Sequence, residues 1–159
     1  MSTLTSEAPL RELEQRIGFI PNLAATIAGS PVAIAGFVSL QGVLRETSLT
    51  ALEREVVGLT VSVHNQCEYS LAAHSVFARK AGGSDELVAA LRAGEPVADP
   101  RLRSIQALTQ DLLRKRGHID ARDDEEALEV IAQIAYTTFA NYAADVFGTP
   151  VDDAFKPPV

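Results

Sequence analysis

The chain has 159 residues, 47% of them hydrophobic and 22% charged, enough for one soluble domain with a buried core. A formal net charge of −7 and a pI of about 4.9 exclude the basic face that binders of nucleic acid or of anionic membranes use, so neither partner is expected. The single cysteine, Cys67, excludes an intrachain disulfide, and the fold does not lean on an oxidising compartment.

The start, "MSTLTSEAPLRELEQ", lacks a basic segment followed by an apolar run and does not read as a signal peptide. Pro9 opens a helix over 9–17 that Gly18 stops, and Pro21 opens one over 21–28. Ser30 and Pro31, an N-cap and a first helical residue, open a helix over 31–46. The apolar stretch from Ala24 to Leu40 is broken by Gly29, Ser30 and Pro31, short of the ~18–20 unbroken residues of a membrane span. A cytoplasmic location is expected.

Thr50 and Glu53 form a capping box for a helix over 51–64, and Asn65 with Glu68 form another for 66–81, stopped at Gly82 and Gly83. A helix follows over 85–92. Asp99 and Pro100 open one over 100–116, which Gly117 stops, leaving His118 in the loop "KRGHID", exposed and inert. The acidic run Asp120 to Glu129 has neither the spacing nor the turn glycine of a calcium loop. Its acids suit the first turn of a helix over 124–146, boxed by Asp123 and Glu126 and stopped at Gly148. The tail "DDAFKPPV" reads as a loosely held arm. No segment alternates with period two, so the expected fold is all-α: a bundle of about eight helices with no sheet, one domain over 1–159.

On a helical wheel Cys67, Ser70, Leu71, His74, Ala78 and Ala81 share one stripe, with Glu68, Arg79 and Lys80 outside it. Thiol and imidazole therefore face the protein. With Asn65 as N-cap, Cys67 takes the second helical position, where free backbone N–H groups and a proton relay favour a thiolate; burial and the Glu55 charge push the other way, so a modestly lowered pKa is predicted. In the preceding helix Leu52, Val56, Leu59 and Val63 form the apolar stripe, and Glu55 lies to one side of it, beside Gly58 and Ser62. The short link at Asn65 packs the two helices together and brings Glu55 to the Cys67–His74 stripe. Cys67 and His74 are seven positions apart, about 10.5 Å of helix rise, so a bridged arrangement is favoured over a direct dyad. Ser70 lies between them, and a relay Glu55–His74–Ser70 (or water)–Cys67 is the expected arrangement.

Other readings of these residues stand beside it. A lone buried cysteine packs as a small hydrophobe, and an inward histidine as a hydrogen-bonded core residue. A Ser70–His74–Glu55 hydrolase triad lacks a glycine-rich nucleophile elbow. A metal site from His64, Cys67, His74 and Glu55 matches no standard zinc spacing, and neither a metal nor another cofactor is expected.

Glu55, Cys67, Ser70 and His74 resemble the core pattern of the alkylhydroperoxidase D / carboxymuconolactone decarboxylase family: a Glu, Cys-x-x-Cys twelve residues on, then a His four residues after the second Cys. "GFIPNLAATIAGSPVAIAGFVSL" (18–40) resembles the family's lead-in helices, and "NYAADVFGTPVD" (141–152) its closing helix and tail. Three departures stand out. Ser70 replaces the second cysteine, the connection 119–126 looks short, and the closing motif reads Ala144–Asp145 where the family often has Asn-His.

The resemblance implies an all-α fold around a two-helix site and a homo-oligomer, often a trimer or hexamer. It implies a thiol-dependent peroxidase in which Cys67 attacks a hydroperoxide, Glu55 and His74 handle protons, and an external thiol replaces the missing cysteine. It equally implies the family's other chemistry, a lyase or isomerase acting on a lactone-type substrate through Glu55 and His74. A catalytically degenerate oligomeric member is the third possibility. Apolar residues on more than one face of 31–46 (Val32, Ile34, Phe37, Val38, Leu40) and of 124–146 (Val130, Ile131, Ile134, Tyr136, Phe139) also point to self-association.

Overall fold

The computed structural model describes residues 3–157, and among them there are helices and no strand. Eight α-helices follow in order: α1 (Glu7–Ile17), α2 (Asn22–Ile27), α3 (Pro31–Val43), α4 (Ala51–His64), α5 (Glu68–Lys80), α6 (Asp85–Ala93), α7 (Pro100–Lys115) and α8 (Glu125–Val146). Short 3-10 turns cover Leu44–Glu46 and Asp153–Phe155.

Local signals placed most of the ends. Ser30 and Asp99 accept hydrogen bonds from the backbone N–H groups of Ala33 and Leu102, each with proline at the first helical position. Thr50 and Glu53 form the full capping box of α4. Gly18 takes φ +95°, a left-handed conformation that releases α1 into the next turn.

Two expected boxes do not form. Asn65 ends α4 rather than starting α5, and its side-chain amide donates to Asn141 Oδ1 at 2.9 Å. Gln66 then turns through φ +57°, and Cys67 becomes the N-cap of α5. Before α8 the cap is Asp124, one residue later than expected, with no side-chain capping bond. Arg122 holds its carboxylate instead.

α4 is the central element and packs against α5, α6, α7 and α8. This explains its continuous burial from Val56 to Ser62. The hydroxyls of Thr60 and Ser62 donate back to the carbonyls of Val56 and Gly58, both at 2.7 Å, so their burial leaves no orphaned polar atom. Two apolar clusters flank α4. One joins α1, α2, α3, the start of α5 and the chain's end; the other joins α4 to α6, α7 and α8.

The tail is not a loose arm. Asp152 is buried, accepts from Tyr69 Oη at 2.6 Å and from the backbone N–H of Asn22 at 3.0 Å, and anchors Phe155 in the first cluster. Pro158 and Val159, the last two residues of the expected arm, lie outside the described residues. The acidic run behaves as a helix start: Glu126 pairs with Arg101, and Glu129 accepts from Ser48. His118 is exposed. No helix among the described residues is long and apolar enough to cross a membrane.

Candidate active site

α4 and α5 run side by side and carry the expected residues to one place. His74 Nδ1 lies 2.6 Å from Glu55 Oε2, a contact of charge-assisted strength. His74 is buried and Glu55 half-buried. The contact depends on Gly58. A Cβ at that position would sit 2.6 Å from both Cε1 and Nδ1 of the imidazole and 2.9 Å from Nε2. The ring therefore lies directly against the backbone of α4, a space that any side chain at 58 would fill.

The other end of the proposed relay is also formed. Cys67 Sγ lies 3.5 Å from Ser70 Oγ and 3.7 Å from the carbonyl oxygen of Asn141. The middle is open: no hydrogen bond joins Ser70 to His74, and both side chains line a cavity of about 60 Å³. That volume admits a few waters or the reacting end of a small molecule. Gln41 apart, its remaining walls are apolar and aromatic, with Phe37, Phe77, Tyr136 and Phe155 prominent. Phe155 packs edge-on against Phe77, centroids 5.4 Å apart, so the anchored tail forms part of the wall.

Cys67 is 0% exposed, and its thiol is not in the cavity lining. The expected lowering of its pKa does not occur. Burial pushes the thiol up, hydrogen bonds from Ser70 oppose this, and the Asp145 carboxylate adds to the rise. The Asn141 carbonyl acts in the same sense, since it accepts from S–H and repels a thiolate. The expectation set the helix N-terminus and the relay against burial and the Glu55 charge, gave burial too little weight, and missed the Asp145 carboxylate that α8 brings to the position where the family often has His.

Sequence reasoning did not find Asn141, although it ties the site together. Buried in α8, it accepts from Asn65 and donates to Ser62 Oγ at 3.2 Å, joining α8 to the α4–α5 corner. An asparagine among the alanines of a buried helix face was the available signal. Tyr136 was read only as one of the apolar residues that point to self-association, yet it lines the cavity. Its hydroxyl is held protonated by burial and by the Glu55 charge. His64 is exposed and lines a separate recess between α4 and α7, away from Cys67. Among the described residues no three His, Cys, Asp or Glu side chains gather as metal ligands.

Fold and site together define the class: an all-α domain with a carboxylate–imidazole pair carried across two packed helices, next to a half-complete Cys-x-x-Cys. The chain belongs to the carboxymuconolactone decarboxylase family, whose sequence model matches residues 31–111. Among solved structures it is similar to an alkylhydroperoxidase AhpD core, an uncharacterized peroxidase-related protein from Ralstonia eutropha JMP134. Identity is 22% over 94% of this chain and 86% of that one, with a TM-score of 0.84. An uncharacterized peroxidase-related protein from Silicibacter sp. TM1040 gives 21% identity over 98% and 90%, TM-score 0.79. The debrominase Bmp8 in complex with 2,3,4-tribromopyrrole gives 18% over 94% and 86%, TM-score 0.76. At these identities the likeness is one of fold. No curated protein matches the chain in sequence.

Proposed function

We propose that this protein is an acid–base enzyme of the lyase or isomerase type, in which His74, oriented by Glu55, moves a proton on a small substrate held in the apolar cavity. One observation carries the reading: His74, held by Glu55 at 2.6 Å, lines the cavity, while the only thiol is fully buried outside its lining. Glu55 accepts from Nδ1–H and so leaves Nε2 as the working atom. The apolar walls exclude water and strengthen the interaction of that nitrogen with a substrate proton. Ser70 is placed to hydrogen-bond the substrate across the cavity. Cys67 is a packing residue in this scheme.

The test is exchange in deuterated water. Lactone acids and related small carbonyl compounds are incubated with the protein, and loss of carbon-bound hydrogen is followed by NMR. Exchange or conversion should fall by about 10²–10⁴-fold in His74→Asn. Exchange that survives in that variant would remove the assignment.

A second reading, a thiol peroxidase, is supported by the 3.5 Å contact of Cys67 with the cavity-lining Ser70 and by the peroxidase-related names of two similar structures. Here the Cys67 thiolate attacks one peroxide oxygen, the O–O bond breaks, and a proton from His74 releases the alcohol. The sulfenic acid then takes two external thiols, giving back the thiol with one disulfide and water. Ser70→Cys tests it directly. A gain of tenfold or more in hydroperoxide turnover with a dithiol would favour the peroxidase; no gain from a folded variant would leave the proton-transfer reading ahead.

A further inference from the structure

The His74–Glu55 pair has a second face. On the side away from Ser70 an open cleft of about 350 Å³ is lined by four cations, Arg16, Arg45, Arg54 and Lys80, and by one acid, Glu55. Ile17, Gln41, His74, Phe77 and Tyr136 line both spaces, so the cleft adjoins the apolar cavity at His74.

This gathering of positive charge stands out in a chain with 14 Lys and Arg and a net charge of −7. Elsewhere six of the ten cations, Arg79, Arg101, Arg114, Lys115, Arg122 and Lys156, pair with a carboxylate, and the four that do not among the described residues, Arg11, Arg92, Arg103 and Arg116, are not gathered in one cleft. In the cleft only Arg16 is paired, with Glu12. Arg45, Arg54 and Lys80 form no ion pair among the described residues. Arg54 gives one N–H to the Leu49 carbonyl at 2.7 Å, leaving most of its donors free, and Lys80 Nζ lies 6.0 Å from the Phe77 ring centroid. Glu55 is already engaged by His74.

We infer that the cleft is an anion subsite: Arg45, Arg54 and Lys80 hold the carboxylate of a small substrate whose apolar body enters the cavity past His74. Its link to turnover rests on the proton-transfer reading above; the binding itself does not. Unpaired cations beside the low-dielectric walls of Ile17, Leu44 and Phe77 concentrate positive potential at the mouth of the site. A guanidinium matches a carboxylate in shape, and the apolar layer beyond it matches a hydrocarbon body. A neutral hydroperoxide gains nothing from these charges.

Calorimetric titration of the full chain with hexanoate and hexanamide separates charge from body. Hexanoate should bind at least tenfold more tightly at low salt, and the advantage should shrink as salt rises. Arg54→Gln and Lys80→Gln should each weaken hexanoate about three- to tenfold and leave hexanamide unchanged. Arg45 and Lys80 are exposed, so Arg45→Gln and Lys80→Gln carry the test should Arg54→Gln fail to fold. Equal affinity for the two probes, or a preference for hexanoate that persists when the cations are neutralised, would overturn the subsite. Charge-dependent binding without any proton exchange would uphold the subsite and remove only the proton-transfer reading.

Discussion

His74 rests on Gly58 with no room for a methyl group between them, which makes a backbone position as consequential as the carboxylate. Alanine is the better helix former by about 0.5–1 kcal/mol, so Gly58→Ala should still fold. It must push the imidazole away from α4 and break the 2.6 Å contact with Glu55. The expected outcome is loss of the downfield proton resonance of the His–carboxylate bond and a fall in turnover of about 10²-fold, the scale of a displacement near 1 Å. A retained resonance would show that the ring has another place to lie. Cys67 makes a complementary prediction. Because burial raises its pKa, iodoacetamide should alkylate it with a midpoint above the ordinary ~8.5. Linkage gives the sign for stability. The folded state keeps its proton where the unfolded thiol has lost it, so the thiol's contribution is full below about pH 8.5 and declines as pH rises through the folded pKa. A midpoint below 8.5 would restore the thiolate.

At the scale of elements, short-range signals carried the fold and long-range ones did not. Ser30–Pro31, Thr50–Glu53 and Asp99–Pro100 act within three or four residues, and each stands where the sequence placed it. The meeting of Glu55 with His74 was legible for a related reason: two wheels and a short link at Asn65 determine which faces pack. Asn65 itself was misread because its amide is captured by Asn141, 76 residues away. The tail was misread because Asp152 bonds Tyr69 and Asn22, 83 and 130 residues distant. Asp152→Ala tests that anchor. It leaves the buried Tyr69 hydroxyl without its acceptor, at a cost of about 1–3 kcal/mol, and frees Phe155 from the cavity wall. Denaturant unfolding should show the loss, and limited proteolysis should cut near residue 150 in the variant alone. Unchanged stability would mean that the aromatic cluster holds the tail without the carboxylate.

The whole molecule leaves apolar surface uncovered. Along α8 and just beyond it, Leu128, Ile131, Phe139, Tyr142, Val146 and Phe147 are exposed, Leu128 at 70% and Val146 at 77%, and Val32 and Val43 are exposed on α3. Most of the α8 residues recur at three- or four-residue spacing, a stripe of the kind one helix presents to another. Val130, by contrast, is fully buried within the chain, so only part of the apolar excess seen in the sequence is free for assembly. A homo-oligomer is predicted: light scattering should return a multiple of 17.0 kDa, and Tyr142→Glu should shift it toward the monomer. A monomer at micromolar concentration would contradict this.

The central claim is that the His74–Glu55 pair works and the thiol does not. The most direct measurement is the turnover of Cys67→Ser beside His74→Asn, on whichever substrate the unmodified protein converts fastest, with both variants verified as folded. Cys67→Ser should keep turnover within about threefold, and His74→Asn should lose about 10²-fold or more. Abolished turnover in a folded Cys67→Ser protein would contradict the account and return the site to thiol chemistry.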